Sequence, residues 1–245
     1  MPSKPRPLPI PVEDFIRDAK TIAVASGKTL PASFESFLRF AHTFPVILNK
    51  KGGVNPDEAT SKEQIVIYLT NLLRQYFATR DHRITLKDVS TVSDSAVDVV
   101  LEAFGGVDIK LLPTYVEFHR KSMAAENKVG ELLELYIAQR LESLGWFWCC
   151  CNMAKGVDFF YPADARTGQR TVLLQVKNRS NSENSSSQRI RELLALSGSP
   201  EITKWYRCHS KDGSTHWEEF PLSVGTSLSE EGFREFIRNY SKTIK

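Results

Sequence analysis

Between Gly156 and Asn178 the chain reads GVDFFYPADARTGQRTVLLQVKN: an aspartate among apolar residues, a turn-rich gap, then a second apolar run ending in Gln175-Val176-Lys177. Two short apolar runs joined by Pro, Asp and Gly form adjacent strands, so this stretch limits the chain to folds that hold such a pair. Strand side chains alternate between faces. Val172, Leu174 and Val176 are therefore expected to enter a core, while Gln175 and Lys177 project together from the other side. Asp158, carried in by the first strand, would complete a group of one acid, one amide and one amine. The plainer reading is a hairpin with a charged tip, and the flanking sequence bears on the choice.

Upstream the pattern is helical. Residues 1–12 hold five prolines together with Lys4 and Arg6, which predicts a flexible, extended, basic arm. Apolar spacing predicts one helix from about Val12 (Phe15, Ile16, Ala19) and a second after Pro31 (Phe34, Phe37, Leu38, Phe40). Gly52-Gly53 and Pro56 then break the chain. Ser61-Lys62-Glu63-Gln64 is a capping box that opens a helix through Ile65, Ile67, Tyr68, Leu72, Leu73 and Tyr76. Residues 87–104 predict a further helix, with Val97, Val99, Val100, Leu101 and Phe104 as its apolar positions and Gly105-Gly106 as its stop. His42 and His82 are isolated and suit surface or hydrogen-bonded positions better than catalysis.

Tyr115 to Leu144 is again helical, open to a break around Ala124 to Asn127, with Val129, Leu132, Leu133, Leu135, Tyr136, Ile137, Leu141 and Leu144 on a broad apolar face. Gly145 ends it. Strands are then expected over 146–151, 156–161 and 171–178, a helix over 187–197, and strands over 202–208 and 215–221. Ser227-Leu228-Ser229-Glu230 caps a last helix with Phe233, Phe236 and Ile237 inside. The fold class is therefore α/β (α+β). The division expected is an arm over 1–12, a helical region over 13–112 and an α/β domain over 113–245.

Charge narrows the function classes. A net charge of +3 excludes a histone-like polycation, but from Arg166 to Arg191 six cationic residues face the single acid Glu183, a patch suited to phosphate. A merely solvated surface is the plainer account. Cys149, Cys150, Cys151 and Cys208 cannot make a spaced disulfide framework and fit a reducing compartment. A zinc site from Cys149 or Cys151 with Cys208, His209 and His216 lacks CxxC or HxxxH spacing, so small buried strand residues are the better account. No run of eighteen apolar residues and no signal-like start is present. A cytoplasmic protein without a membrane span is expected.

The order helix, strand, strand, strand, helix, strand over about residues 126–221 resembles the PD-(D/E)XK nuclease superfamily. Gly130-x3-Glu134 stands on the first helix, Asp158 on the second strand and Gln175-Val176-Lys177 on the third. The resemblance implies an αβββαβ core in which Glu134, Asp158, Gln175 and Lys177 form the catalytic group. Asp158, Glu134, the Gln175 amide oxygen and the Val176 carbonyl would hold Mg2+. Glutamine stands where the superfamily usually has Asp or Glu, as in Mrr-like members, and Glu183 or Glu192 are alternative donors of the missing acid. The segment QVKNRSNSENSSS further resembles the SinI and AvaII group of type II restriction endonucleases, which read GGWCC.

That resemblance implies magnesium-dependent cleavage of double-stranded DNA, leaving 5′ phosphates, by a homodimer matched to a palindromic site. Arg179, Asn181, Asn184, Ser186, Arg189 and Arg191 would meet the DNA, being residue types that pair with phosphates or base edges. A low-complexity loop is the plainer reading of that segment. Two other readings stay open: a nuclease of the same fold directed by DNA structure or modification, and a DNA-binding module that has lost catalysis.

Overall fold

Helix formation in the first half follows its apolar spacing. The structure, a computed structural model, describes residues 8–85, 94–180, 191–192, 195, 198–221 and 228–244. Helices α1 (Val12–Ala25), α2 (Ala32–Thr43) and α3 (Lys62–Asp81) bury Phe15, Ile16, Phe34, Phe37, Leu38, Leu69 and Leu72 against one another and against the sheet. The capping box is present as expected: the Ser61 hydroxyl accepts from the Gln64 amide, and the Gln64 side chain accepts from the Ser61 amide. Ile67, counted as an inner position, is 47% exposed.

One upstream expectation needs correction. Leu8 and Ile10 are buried, and the Ile10 carbonyl lies 2.7 Å from His42 Nε2, so residues 8–12, the described part of the expected arm, are tied down. Prolines signal extension, not freedom. Helix α4 (Ser95–Ala103) forms where its apolar spacing predicts, its residues 86–93 flank lying outside the described residues, but it buries nothing. Val97, Val99, Val100 and Phe104 are all exposed. Periodicity identifies an apolar side without saying that anything covers it.

Helix α5 (Leu112–Leu141) runs unbroken for 30 residues, with no interruption at Ala124 to Asn127. Leu133, Tyr136, Ile137, Ala138 and Leu141 are its buried residues in the second half, while Leu144 is exposed. Gly145, at φ +90°, takes the left-handed conformation that ends the helix and turns the chain into the sheet.

Among the described residues four strands, β1 (Phe147–Trp148), β2 (Phe159–Tyr161), β3 (Val172–Arg179) and β4 (Ile202–Cys208), lie in sequence order in one sheet. β1–β2 and β2–β3 are antiparallel, and β3–β4 is parallel. β1 is shorter than the strand expected over 146–151 because the chain turns at Cys150–Met153, with Cys151 and Asn152 both at positive φ. Of the helix expected over 187–197, Arg191, Glu192 and Ala195 are described, and they are helical.

The strand expected over 215–221 is not formed. After a single bridge between Thr215 and Cys208, Trp217–Glu219 makes a 3-10 turn that presses Trp217 and Phe220 onto Trp205, ring centroids 5.0 and 4.9 Å apart. Helix α6 (Glu230–Lys242) is capped by Ser229 and covers the same side through Phe233. One hydrophobic cluster runs from Phe15 and Phe34 through Phe147 and Phe160 to Trp205 and Phe233. The helical region and the sheet thus share a core.

Candidate active site

Pairing of β2 with β3 stops at Phe159–Leu174. One residue before that stop, Asp158 is fixed by three hydrogen bonds. Its amide donates to the Leu174 carbonyl (2.8 Å), its carbonyl accepts from the Cys149 amide (2.8 Å), and its Oδ2 accepts from the Val176 amide (2.7 Å). The Val176 N–H would otherwise lack a strand partner where β2 departs, so the carboxylate takes the place of a strand carbonyl. The apolar run around Asp158 is what buries it there.

Glu134 arrives from α5. Its Oε2 accepts from Trp148 Nε1 at 3.0 Å, so β1 orients the helix carboxylate. Sequence reasoning missed this contact, since fourteen residues and a helix-to-strand turn separate the partners. Gln175 is one of two buried polar residues among those described, 6% exposed, and Lys177 on the same face of β3 is exposed. Leu174 and Val176 are buried as expected and Val172 is half-buried, but Leu173 on the Gln175 face is fully buried too, so both faces of β3 are covered as far as Val176 and the second face opens only at Lys177. Gly156, at φ +68°, lies so close that an added Cβ would be 3.6 Å from Gln175 Nε2.

The electrostatics set this corner apart. Burial, followed by the neighbouring Asp158 charge, pushes the Glu134 carboxyl up to about 8, against the downward pull of the Trp148 hydrogen bond and Lys177. Burial likewise pushes Asp158 up to about 6, opposed by the Val176 hydrogen bond and Lys177. Two desolvated carboxylates within reach of each other ask for positive charge, and the exposed Lys177 only partly supplies it. They line a cleft of about 830 Å³ together with Gln175, Trp148, Arg80 and Glu142, the last two joined by an ion pair.

The donor set suits a hard divalent cation: two carboxylates and an amide oxygen, with room left for water. No group of three or more His, Cys, Asp and Glu residues able to hold a metal occurs among the described residues, so the zinc reading has no support there. All four cysteines are free. Gly130, the small residue before Glu134, faces open space: an added Cβ would meet no atom within 4 Å.

The other expected site residues fall at the end of β3 and beyond. Arg179 is exposed at the strand end and Arg191 is half-buried, while Asn181, Asn184, Ser186 and Arg189 lie outside the described residues. Of the alternative acids, Glu183 also lies outside them, and Glu192 is exposed on its helix. No helix among the described residues is long and apolar enough to cross a membrane.

A sequence model of the SinI restriction endonuclease family matches residues 16–243. The type II restriction enzyme Eco47I of Escherichia coli is 36% identical over 92% of this chain and 95% of its own length. The type II restriction enzyme SinI of Salmonella infantis is 35% identical over 94% of this chain and 97% of its own length. Matches that span nearly the whole of each chain make this protein a type II restriction endonuclease, a site-specific DNA hydrolase. Within that class the chain belongs to the SinI restriction endonuclease family.

Proposed function

We propose that the chain cleaves double-stranded DNA with Mg2+ at a PD-(D/E)XK-type centre made of Asp158, Glu134, Gln175 and Lys177. The observation that carries this reading is the fixed Asp158 carboxylate, held on the Val176 amide with Glu134 near enough to raise its own pKa on Asp158's account. Asp158, Glu134, the Gln175 amide oxygen and the Val176 carbonyl would hold the ion. When bound, the ion would neutralise charge growing on the phosphate and its leaving oxygen. Lys177, at the open end of the same strand face, orients the attacking water or takes its proton. The products carry 5′ phosphate and 3′ hydroxyl ends. Glu134 is preferred to Glu183 or Glu192 as the second acid because it shares the cleft with Asp158.

The likeness of Gln175 to Ser187 to the SinI and AvaII group supports GGWCC as the sequence read, by a homodimer. Arg179, Asn181, Asn184, Ser186, Arg189 and Arg191 would contact the DNA, and residues 13–112 would serve dimerisation or clamping. The test is digestion of unmethylated phage DNA with and without Mg2+, followed by end-sequencing and sedimentation of the protein. Discrete magnesium-dependent fragments with 5′ phosphates at GGWCC, from a dimer, are expected. A smear would favour a structure-directed nuclease, and DNA binding without cleavage under any divalent cation would favour a binding module; either outcome overturns the proposal.

A further inference from the structure

The shared core stops short of one stretch of the chain. No apolar residue between 95 and 128 belongs to it. Helix α4 buries none of its residues, and the first half of α5 buries only Leu112 and Ala124. Eight of the eleven large apolar side chains left exposed among the described residues fall between Val97 and Phe118, with Phe104 89% and Phe118 71% exposed. A groove of about 660 Å³ runs between the two helices, lined by Val97, Leu101, Tyr115, Val116, Phe118 and Met123. Short helices in water depend on packing, isolated ones below about 12–15 residues being marginal, and the nine residues of α4 have no packing within the chain to draw on. A surface docked on this side would supply it.

DNA fits that role badly. Residues 94–109 carry Asp94, Asp98, Glu102 and Asp108 and no lysine or arginine, so a phosphate backbone would be repelled. A protein surface fits well: the eight exposed side chains offer an apolar area on the order of the roughly 800 Å² that each partner buries in a standard interface. We propose that α4 and the start of α5, residues 95–118, form the surface on which a second copy of this chain docks about a two-fold axis. This rests on the homodimer reading above and moves its dimerising region to the α4–α5 pair. A patch that meets itself across a two-fold axis closes into a dimer and goes no further. Such a dimer brings two Asp158–Lys177 centres into one assembly, one for each DNA strand.

The test is sedimentation equilibrium of the full chain over a concentration series, alone and with a GGWCC duplex in EDTA. Wild-type protein is compared with Phe104→Asp, Phe118→Asp and, as a control on α1 away from the patch, Val24→Asp, which is 68% exposed in the wild type. Thermal melts check folding. Wild type and Val24→Asp should dimerise alike, and each ring variant should weaken association at least about 30-fold, as loss of a central aromatic anchor does. Amide exchange in the wild-type chain, which needs no variant to fold, should be slower over 95–103 in the dimer than after dilution to monomers. Wild-type association in both ring variants, or exchange over 95–103 that ignores concentration in a protein that does dimerise, would overturn this surface and leave the homodimer reading standing. Ring variants that stay dimeric but lose duplex affinity would assign the patch to DNA. A wild-type chain that stays monomeric alone and binds its duplex as one copy would overturn the homodimer reading and this surface with it.

Discussion

The two halves of one short sheet are built for opposite ends. Where β1 and β2 meet α2 and α3, the interior is aromatic and dry: Phe147 stacks on Phe34 at 4.7 Å and on Phe37 at 5.1 Å, and Phe37 meets the edge of Phe160 at 5.5 Å. Where β2 leaves β3, the interior holds Asp158, Glu134 and Gln175, desolvated and only partly compensated. The first region lowers the energy of the fold. The second raises it, and uses the rigidity of the first to stay in place. Asp158 follows Val157 and precedes Phe159-Phe160, all buried at 1% or less, so the carboxylate is carried by packing it does not share.

The sharpest way to probe that division is to damage the aromatic side alone. Phe147→Ala removes a fully buried ring from a four-ring contact and should cost about 3–5 kcal/mol of unfolding free energy, read as a lowered urea midpoint. Activity per folded molecule should survive at temperatures where the variant stays folded.

The polar side should announce itself through pH. Burial holds both carboxyls above their ordinary values of 3.8 and 4.5, Asp158 at about 6 and Glu134 at about 8, so the folded chain binds more protons than the unfolded one across that window. The contribution of these two carboxyls to the stability of the metal-free protein is then fully present below about pH 4 and is lost as pH rises through the folded values. The slope should be on the order of 1 kcal/mol per pH unit. Urea melts in EDTA should therefore show a weaker protein at pH 8 than at pH 5. Mg2+ should restore stability at pH 8 and do little at pH 5. Asp158→Asn and Glu134→Gln should flatten the profile, and an unchanged slope in both would break the contrast between the two regions.

A smaller effect belongs to the scaffold again. Ser61→Ala removes one half of the α3 capping box and should cost about 1 kcal/mol in the same melts, without altering cleavage at permissive temperature.

How far the sequence speaks differs in the same way between regions. The core helices and the pairing of Asp158 with the Gln175-Lys177 strand are legible because alternation and helical spacing are properties of a single segment. Local rules do not reach the Trp148 to Glu134 hydrogen bond, which depends on how separate segments dock. The same limit explains α4, whose valines match a buried pattern yet stay exposed, and residues 215–221, whose Trp217 and Phe220 pack from a turn instead of a strand. Leu8 and Ile10 were hidden by the prolines around them, which advertise an extended backbone whether or not its side chains are covered.

The claim that the buried carboxylates and Lys177 form the hydrolytic centre is tested most directly by single-turnover cleavage of one GGWCC-containing fragment in Mg2+. Wild-type protein would be compared with Asp158→Asn, Lys177→Ala, Glu134→Gln and Glu192→Gln, each checked for DNA binding. The account predicts losses of about two to four orders of magnitude for the first two variants, a clear loss for Glu134→Gln, and near wild-type rates for Glu192→Gln. Near wild-type cleavage by either Asp158→Asn or Lys177→Ala would contradict it.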